Sequence, residues 1–174
     1  MILIGLDTGC VNAKRKVDVL NFVDAMEYFK KLNTEMINIS GEELKGYVDG
    51  FQKYLNKNKS PQFGRFDEGT FDGSIFGNQE TDDRADAIAQ KLFGINFHKL
   101  TKLPNENFFR DVMIINKAIE DNVDFFLTID KHFINGDKKE WFENKYHIKV
   151  RYVERQDGNF PLILEIGEYL FIKE

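Results

Sequence analysis

Residues 110–133 read RDVMIINKAIEDNVDFFLTIDKHF and combine a helical pattern with a buried strand. Asp111 is expected to begin the helix, because the apolar positions after it recur at helical spacing, at Val112, Ile115, Ala118 and Ile119. Phe125–Thr128 is short and largely apolar, which is typical of a strand buried on both faces of a parallel sheet. Asp130 follows that strand. The segment therefore predicts a helix–strand unit of an α/β domain.

The same alternation of strands and helices extends toward the N-terminus. Met1–Leu6 is predicted to form a short buried strand, and Met36–Ile39 a second one. A helix is expected to begin near Asn12, which is a good N-cap residue, and Ser40 with Glu43 forms the capping-box pattern of another helix. Strands that alternate with helices in this way predict a parallel sheet.

Length and composition favour a single domain. The chain has 174 residues, of which 42% are hydrophobic, and this is enough for an ordinary core. Residues 56–81 interrupt the pattern with interleaved Gly and Phe, so we expect an insertion there, either a hairpin or a mobile arm. Farther along the chain we expect a helix from Asp82, a short helix at Trp141–Phe142, a strand at Ile148–Val153 and further strand structure within Leu162–Ile172.

The charge balance limits the partners that the protein can have. The chain carries 24 Lys and Arg against 29 Asp and Glu, a net charge of −5, which excludes a domain that holds nucleic acid by bulk positive charge. The single cysteine, Cys10, cannot form an intrachain disulfide and fits a reducing compartment. The sequence shows no signal peptide and no apolar run long enough for a membrane span, so we expect a cytoplasmic protein without membrane contact.

Several acidic residues are expected at one edge of the predicted sheet, because ligand sites of parallel sheets lie beyond the carboxyl ends of the strands. Asp7 follows the first strand, Asp130 follows the Phe125–Thr128 strand, and Glu43 lies in the first turn after the second strand. Oxygen ligands without a His or Cys cluster suit Mg²⁺ or Mn²⁺. The alternative is that Glu43 only completes a capping box with Ser40 and that Asp111 only stabilises a helix N-terminus.

The order and spacing of these acids resemble the PIN domain, the nuclease fold of many RNA-cleaving enzymes and of the toxins in type II toxin–antitoxin pairs. The likeness is strongest in residues 110–133, where Asp111 matches the third acid of the family pattern and Asp130 the fourth. Asp7, within an Asp-Thr pair, matches the first acid. Glu43, directly before a leucine, fits the second acid better than Glu42 does. The resemblance covers most of the chain up to about Val153.

The resemblance implies a three-layer α/β/α fold and a metal-dependent endoribonuclease. Asp7, Glu43, Asp111 and Asp130 would hold one or two Mg²⁺ or Mn²⁺ ions for the hydrolysis of RNA phosphodiester bonds. An antitoxin protein and a second copy of the chain, in a homodimer, would be its protein partners. The chain departs from the family at Gly9, where Asn or Ser is usual. The alternative function is therefore a degenerate module that binds RNA or a protein without cleaving it.

Two further groups of residues are candidates for substrate contact. Lys14, Arg15 and Lys16 follow Asp7 closely, and we expect them to bind the RNA backbone; the alternative is a solvated charge run. Thr128 is a candidate for a bond to substrate or to metal-bound water, although such threonines also cap turns. The three histidines show no ligand spacing. A surface or partly buried position is the expectation for His132.

Overall fold

The fold is an α/β domain built on one parallel sheet. The computed structural model describes residues 1–11, 18–37, 58–59, 79–100, 106–154 and 157–173. Within them, five strands pair in the order β3-β2-β1-β4-β5, and all four pairings are parallel. The strands are β1 (Ile2–Asp7), β2 (Leu32–Ile37), β3 (Asn58–Lys59), β4 (Phe125–Thr128) and β5 (Lys149–Tyr152).

Helices cover both faces of this sheet. The α-helices within the described residues are α1 (Thr8–Val11), α2 (Asp18–Tyr28), α3 (Gln79–Phe93), α4 (Phe97–Leu100), α5 (Glu106–Glu120), α6 (Lys138–Tyr146) and α7 (Phe160–Lys173). A 3₁₀ turn spans Lys131–Phe133. None of these helices is both long enough and apolar enough to span a lipid bilayer.

Two apolar clusters separate the layers. Ile4 and Leu6 of β1 pack with the buried side chains of α2 and α7 on one face. Phe126 of β4 and Val150 of β5 pack with α3, α4, α5 and α6 on the other. Successive side chains of a strand point to opposite faces, so the unbroken apolar run of β4 serves both clusters. The predicted three-layer α/β/α architecture with a central parallel sheet is confirmed.

Helix α5 begins earlier than the sequence predicts. Its first residue is Glu106, so Asp111 lies in the second turn, and the expectation that Asp111 begins the helix is wrong. Two phenylalanines explain the difference, because Phe108 stacks on Phe93 with 4.3 Å between the ring centroids, and Phe109 stacks on Phe97 at 5.2 Å. The extra turn is held by this packing. Asp111 therefore lies beyond the first turn, where acids stabilise a helix N-terminus, and this effect does not explain an acid at position 111.

The expectation of strand structure within Leu162–Ile172 is also wrong, because this segment lies in helix α7. Its buried residues, Leu162, Ile166 and Leu170, recur every four positions and face α2 and the sheet. Arg151 of β5 also holds the helix, since its guanidinium donates to both carboxylate oxygens of Glu165, at 3.0 and 2.7 Å. Tertiary packing thus selects a helix for a segment that is apolar on several sides.

Other predicted features lie partly or wholly outside the described residues. Of the predicted insertion at residues 56–81, β3 and the first residues of α3 are described, and β3 extends the sheet beyond β2. The helix start expected near Asn12 and the capping box of Ser40 and Glu43 lie outside the described ranges.

Candidate metal centre

Asp7 and Thr128 form the base of the candidate site at the carboxyl edge of the sheet. Parallel pairing of β1 with β4 sets Leu6 beside Leu127. Asp7 and Thr128, the next residues of the two strands, therefore lie next to each other. The fully buried Thr128 hydroxyl donates to Asp7 Oδ2 at 2.7 Å. The Gly9 backbone N–H faces Asp7 Oδ1 at 3.4 Å. The carboxylate of Asp7 is therefore held by the ends of two neighbouring strands.

Asp130 is fixed by the same hydroxyl. Its backbone N–H donates to Thr128 Oγ1 at 3.0 Å, so the Thr128 hydroxyl links Asp7 to the turn after β4. The side chain of Asp130 caps the 3₁₀ turn by accepting the backbone N–H of His132 at 3.2 Å. These bonds favour a positioning role for Thr128 over a direct substrate contact, since its hydroxyl already serves two site residues.

His132 brings Asp111 and Asp130 together. Its Nε2 hydrogen-bonds Asp111 Oδ2 at 2.8 Å, and its Nδ1 lies 2.8 Å from Asp130 Oδ1. The ring also packs edge-on against Phe93, with 5.4 Å between the centroids. The second turn of α5 and the turn after β4 thus meet through one imidazole.

Sequence reasoning missed this role of His132. Periodicity carries no signal for it, because the residue belongs to an irregular turn rather than to a helix or strand. The available signal is the Asp-x-His spacing of residues 130–132, since an aspartate that caps a tight turn also fixes the backbone of the residue two positions later. His132 is partly buried, which is one of the two positions that the sequence predicts for it.

Burial opposes the ionisation of two acids of the centre, Asp7 and Asp111. Burial raises the pKa of Asp7 from 3.8 to about 6, although the hydrogen bonds from Thr128 and Gly9 lower it, and the charges of Asp111 and Asp130 raise it further. Burial also raises the pKa of Asp111, against the effect of His132. The hydrogen bond to Asp111 raises the pKa of His132. The three acids therefore repel one another, and a cation would relieve that repulsion.

The donor set fits a divalent cation. One ligand atom from each of Asp111, Asp130 and His132 lies within 4.8 Å of the others, and the carboxylate of Asp7 is close enough to sense both aspartates. Carboxylate oxygens bind Mg²⁺ and Mn²⁺, and an imidazole nitrogen binds transition-metal ions. Four of the predicted site residues, Asp7, Asp111, Asp130 and Thr128, are thus assembled at one edge of the sheet.

The other predicted site residues lie outside the described ranges. They are the second acid, Glu43 or its neighbour Glu42, and the predicted RNA contacts Lys14, Arg15 and Lys16.

Gly9, the departure from the family pattern, has a packing reason. A β-carbon at this position would lie 2.8 Å from Cγ1 of Ile129, a distance at which one of the two must move. Ile129 packs against the core on the α2 and α7 side of the sheet. A larger residue at position 9 would therefore require this side chain to move.

Comparisons of the chain with protein-family models, with curated proteins and with solved structures found no match.

Proposed function

We propose that this protein is a metal-dependent endoribonuclease that hydrolyses RNA phosphodiester bonds, as in the PIN-like nucleases that its sequence resembles. The observation that carries the proposal is the convergence of Asp7, Asp111 and Asp130, from three separate elements, at the carboxyl edge of a parallel sheet. Crowded acids without a surplus of cations are costly in a purely structural role. Raised pKa values at such an edge are typical of a functional site.

Each residue has a distinct part in the proposed reaction. Asp7, Asp111 and Asp130 would hold Mg²⁺ or Mn²⁺, with Glu43 as a further ligand. A divalent cation bound there would activate water and offset the negative charge that develops on the phosphate. Thr128 keeps Asp7 and Asp130 in register through its hydroxyl. Lys14, Arg15 and Lys16 would bind neighbouring phosphates, which lets a chain of net charge −5 hold RNA locally.

The alternative is a module that binds RNA or a protein without cleaving it. The observation that favours it is Gly9, which offers the centre a backbone N–H but no side-chain ligand. Of the two functions, only the nuclease predicts metal-dependent cleavage.

Asp111→Asn tests the nuclease directly. Cleavage of a mixed set of single-stranded and structured RNAs is expected with Mn²⁺ or Mg²⁺ and is expected to be abolished by EDTA. The variant should cleave at least about 100-fold more slowly, because the loss of one carboxylate weakens metal binding and charge neutralisation together. Asp82→Asn, at an exposed position of α3, is the charge-matched control and should cleave like the wild type.

Circular dichroism would first establish that both variants are folded. If the wild-type protein with bound metal leaves every RNA intact, the nuclease proposal fails. RNA binding under those conditions would favour the alternative module.

The proposed partners are a second copy of the chain and an antitoxin protein, in the reducing cytoplasm that the free, buried Cys10 suits. The second copy would pack on α7 and on the end of α2. Large apolar side chains are exposed there, at Phe160, Leu164, Phe171 and Ile172 of α7, at Tyr28 of α2 and at Phe29 just after it. Aromatic side chains bury roughly 150–250 Å² each, so these residues offer about 800 Å² per protomer, the size of a standard interface.

Phe171→Lys is expected to weaken this dimer. Phe171 is 81% exposed in a single chain, and a lysine there would bring an uncompensated charge into the apolar interface. Sedimentation equilibrium should give a dimer dissociation constant at least about 30-fold higher than that of the wild type, as for an interface hot spot. Asn144→Lys, at an exposed position of α6 in the opposite helix layer, adds the same single charge and is the control. A wild-type chain that stays monomeric at every protein concentration would contradict the dimer.

A further inference from the structure

We propose that His132 is a nitrogen ligand of the metal, and that the centre therefore prefers a transition-metal ion such as Mn²⁺ or Co²⁺ to Mg²⁺. This inference deepens the proposed function, because it concerns the metal of the same site. It requires metal binding but not RNA cleavage.

The two ring nitrogens of His132 make different contacts. Nε2 hydrogen-bonds Asp111 Oδ2 at 2.8 Å, whereas Nδ1 lies 2.8 Å from Asp130 Oδ1 and is not hydrogen-bonded to it. An imidazole whose proton lies on Nε2 carries a lone pair on Nδ1. An imidazole nitrogen and a carboxylate oxygen this close to each other can be neighbouring ligands of one cation. The side chain is therefore arranged to share a cation with Asp130.

The hydrogen bond between Nε2 and Asp111 is a usual feature of metal-binding histidines. A metal-bound histidine almost always donates its other N–H to a carboxylate or a carbonyl, which fixes the tautomer and the ring orientation. Here Asp111 accepts that bond from Nε2, which leaves Nδ1 beside Asp130 for the metal. The paired carboxylates thus supply both a neighbouring ligand and an orienting acceptor.

The imidazole of His132 is also held in place by its neighbours. The backbone N–H of His132 donates to Asp130 Oδ1, so the residue is anchored by the aspartate that it would accompany on the metal. Phe93 and Phe133 lie against the ring, with centroid distances of 5.4 and 5.2 Å. Because of this hydrogen bond and these two rings, the side chain has little rotamer freedom to lose when it binds an ion.

The metal preference follows from the ligand types. Mg²⁺ takes oxygen ligands and water, whereas an imidazole nitrogen raises the affinity for first-row transition ions in the order Mn²⁺, then Co²⁺. A centre that adds one imidazole to its carboxylates should therefore bind Co²⁺ more tightly than Mn²⁺, and Mn²⁺ more tightly than Mg²⁺.

The test uses untagged full-length protein and the metal ions alone. Electron spin echo modulation of bound Mn²⁺ should show coupling to a ¹⁴N nucleus in the wild type and in His98→Gln, an exposed histidine on α4. The coupling should be lost in His132→Gln. By calorimetry this variant should lose roughly tenfold or more in Co²⁺ affinity, the scale typical of lost metal-site partners, and less than about threefold in Mg²⁺ affinity. His132→Asn serves as a second variant if His132→Gln fails to fold.

The outcomes separate this inference from the nuclease. Bound Mn²⁺ without ¹⁴N coupling overturns the role of His132, and RNA cleavage by that protein would leave the nuclease standing. Coupling that is present in a protein without cleavage supports the ligand and removes the nuclease. Equal losses of Co²⁺ and Mg²⁺ affinity in His132→Gln would also overturn the inference, because they indicate a structural residue.

Discussion

Asp7→Asn is expected to stabilise the metal-free protein by about 3 kcal/mol near pH 7.5, while it weakens metal binding. Burial raises the pKa of Asp7 to about 6, so at neutral pH the folded chain must hold a carboxylate that its surroundings disfavour. Asparagine has nearly the same shape and carries no charge, and its carbonyl oxygen can still accept the hydrogen bond from Thr128. A buried, charged functional acid lowers the free energy of unfolding, so its replacement by a neutral residue raises that free energy.

The sign of the pH dependence follows from the same shift. A folded-state pKa above the unfolded one means that the folded chain binds the proton more tightly, so the contribution is complete below about pH 3.8 and is lost as the pH rises through about 6. The advantage of Asp7→Asn should therefore grow by about 2 kcal/mol between pH 4.5 and pH 7.5. The raised pKa of His132 acts in the same direction, because its contribution is lost as the pH rises above its folded-state value.

Urea unfolding in EDTA at the two pH values measures this effect as the difference between variant and wild type. Asp82→Asn controls for the loss of one negative charge at an exposed position. A gain of the same size in that control, or a gain for Asp7→Asn that does not change with pH, would contradict the burial of Asp7 as the cause. Added Mn²⁺ should raise the stability of the wild type much more than that of Asp7→Asn, because only the wild type retains the carboxylate.

Some of the fold could be predicted because a single local pattern determines it. The apolar residues of β1 and β4 fit buried strands, and those of α5 recur at helical spacing. The structure confirms the strand at β1 and the helix–strand unit of α5 and β4. Asn122 ends α5 with a left-handed backbone, at a φ of 56°, a conformation that asparagine adopts more readily than most residues. Helix α7 could not be predicted, since a segment that is apolar on several sides is compatible with a strand or a helix until its packing on α2 is known.

The candidate site was predictable to a similar degree. Asp7 and Asp130 follow predicted strands. The carboxyl ends of parallel strands lie at one edge of a sheet, and this rule was enough to predict that the two acids lie close together. Asp111 lies near these two acids, as predicted, but not at the predicted start of its helix, because the stacking of Phe108 on Phe93 is a tertiary contact. His132 depends on a capped turn and on the approach of α5 to that turn. Neither feature repeats along the sequence, so no periodicity could have indicated it.

Thr128→Val is expected to cost about 2–4 kcal/mol of stability and to lower Mn²⁺ affinity roughly 10–100-fold. The Thr128 hydroxyl donates to Asp7 Oδ2 at 2.7 Å and accepts the Asp130 backbone N–H at 3.0 Å, and it is fully buried. Valine has the same shape without the hydroxyl, so both partners lose a hydrogen bond where water cannot replace it. The pKa of Asp7 should rise further, because the bond from Thr128 lowers it. Urea unfolding and Mn²⁺ calorimetry, both near pH 7.5, would measure the two losses.

Thr128→Ser is the matched control, because it keeps the hydroxyl and loses only a methyl group. It should cost about 1 kcal/mol and leave the Mn²⁺ affinity within about threefold of the wild type, since the bond network is intact. The double variant of Thr128→Val with Asp7→Asn should be less destabilised than the sum of the single variants predicts, because loss of the hydroxyl then leaves no buried carboxylate without its hydrogen bond. If serine and valine prove equally damaging, the methyl group fills space that the fold needs, and the hydroxyl does not position the acids.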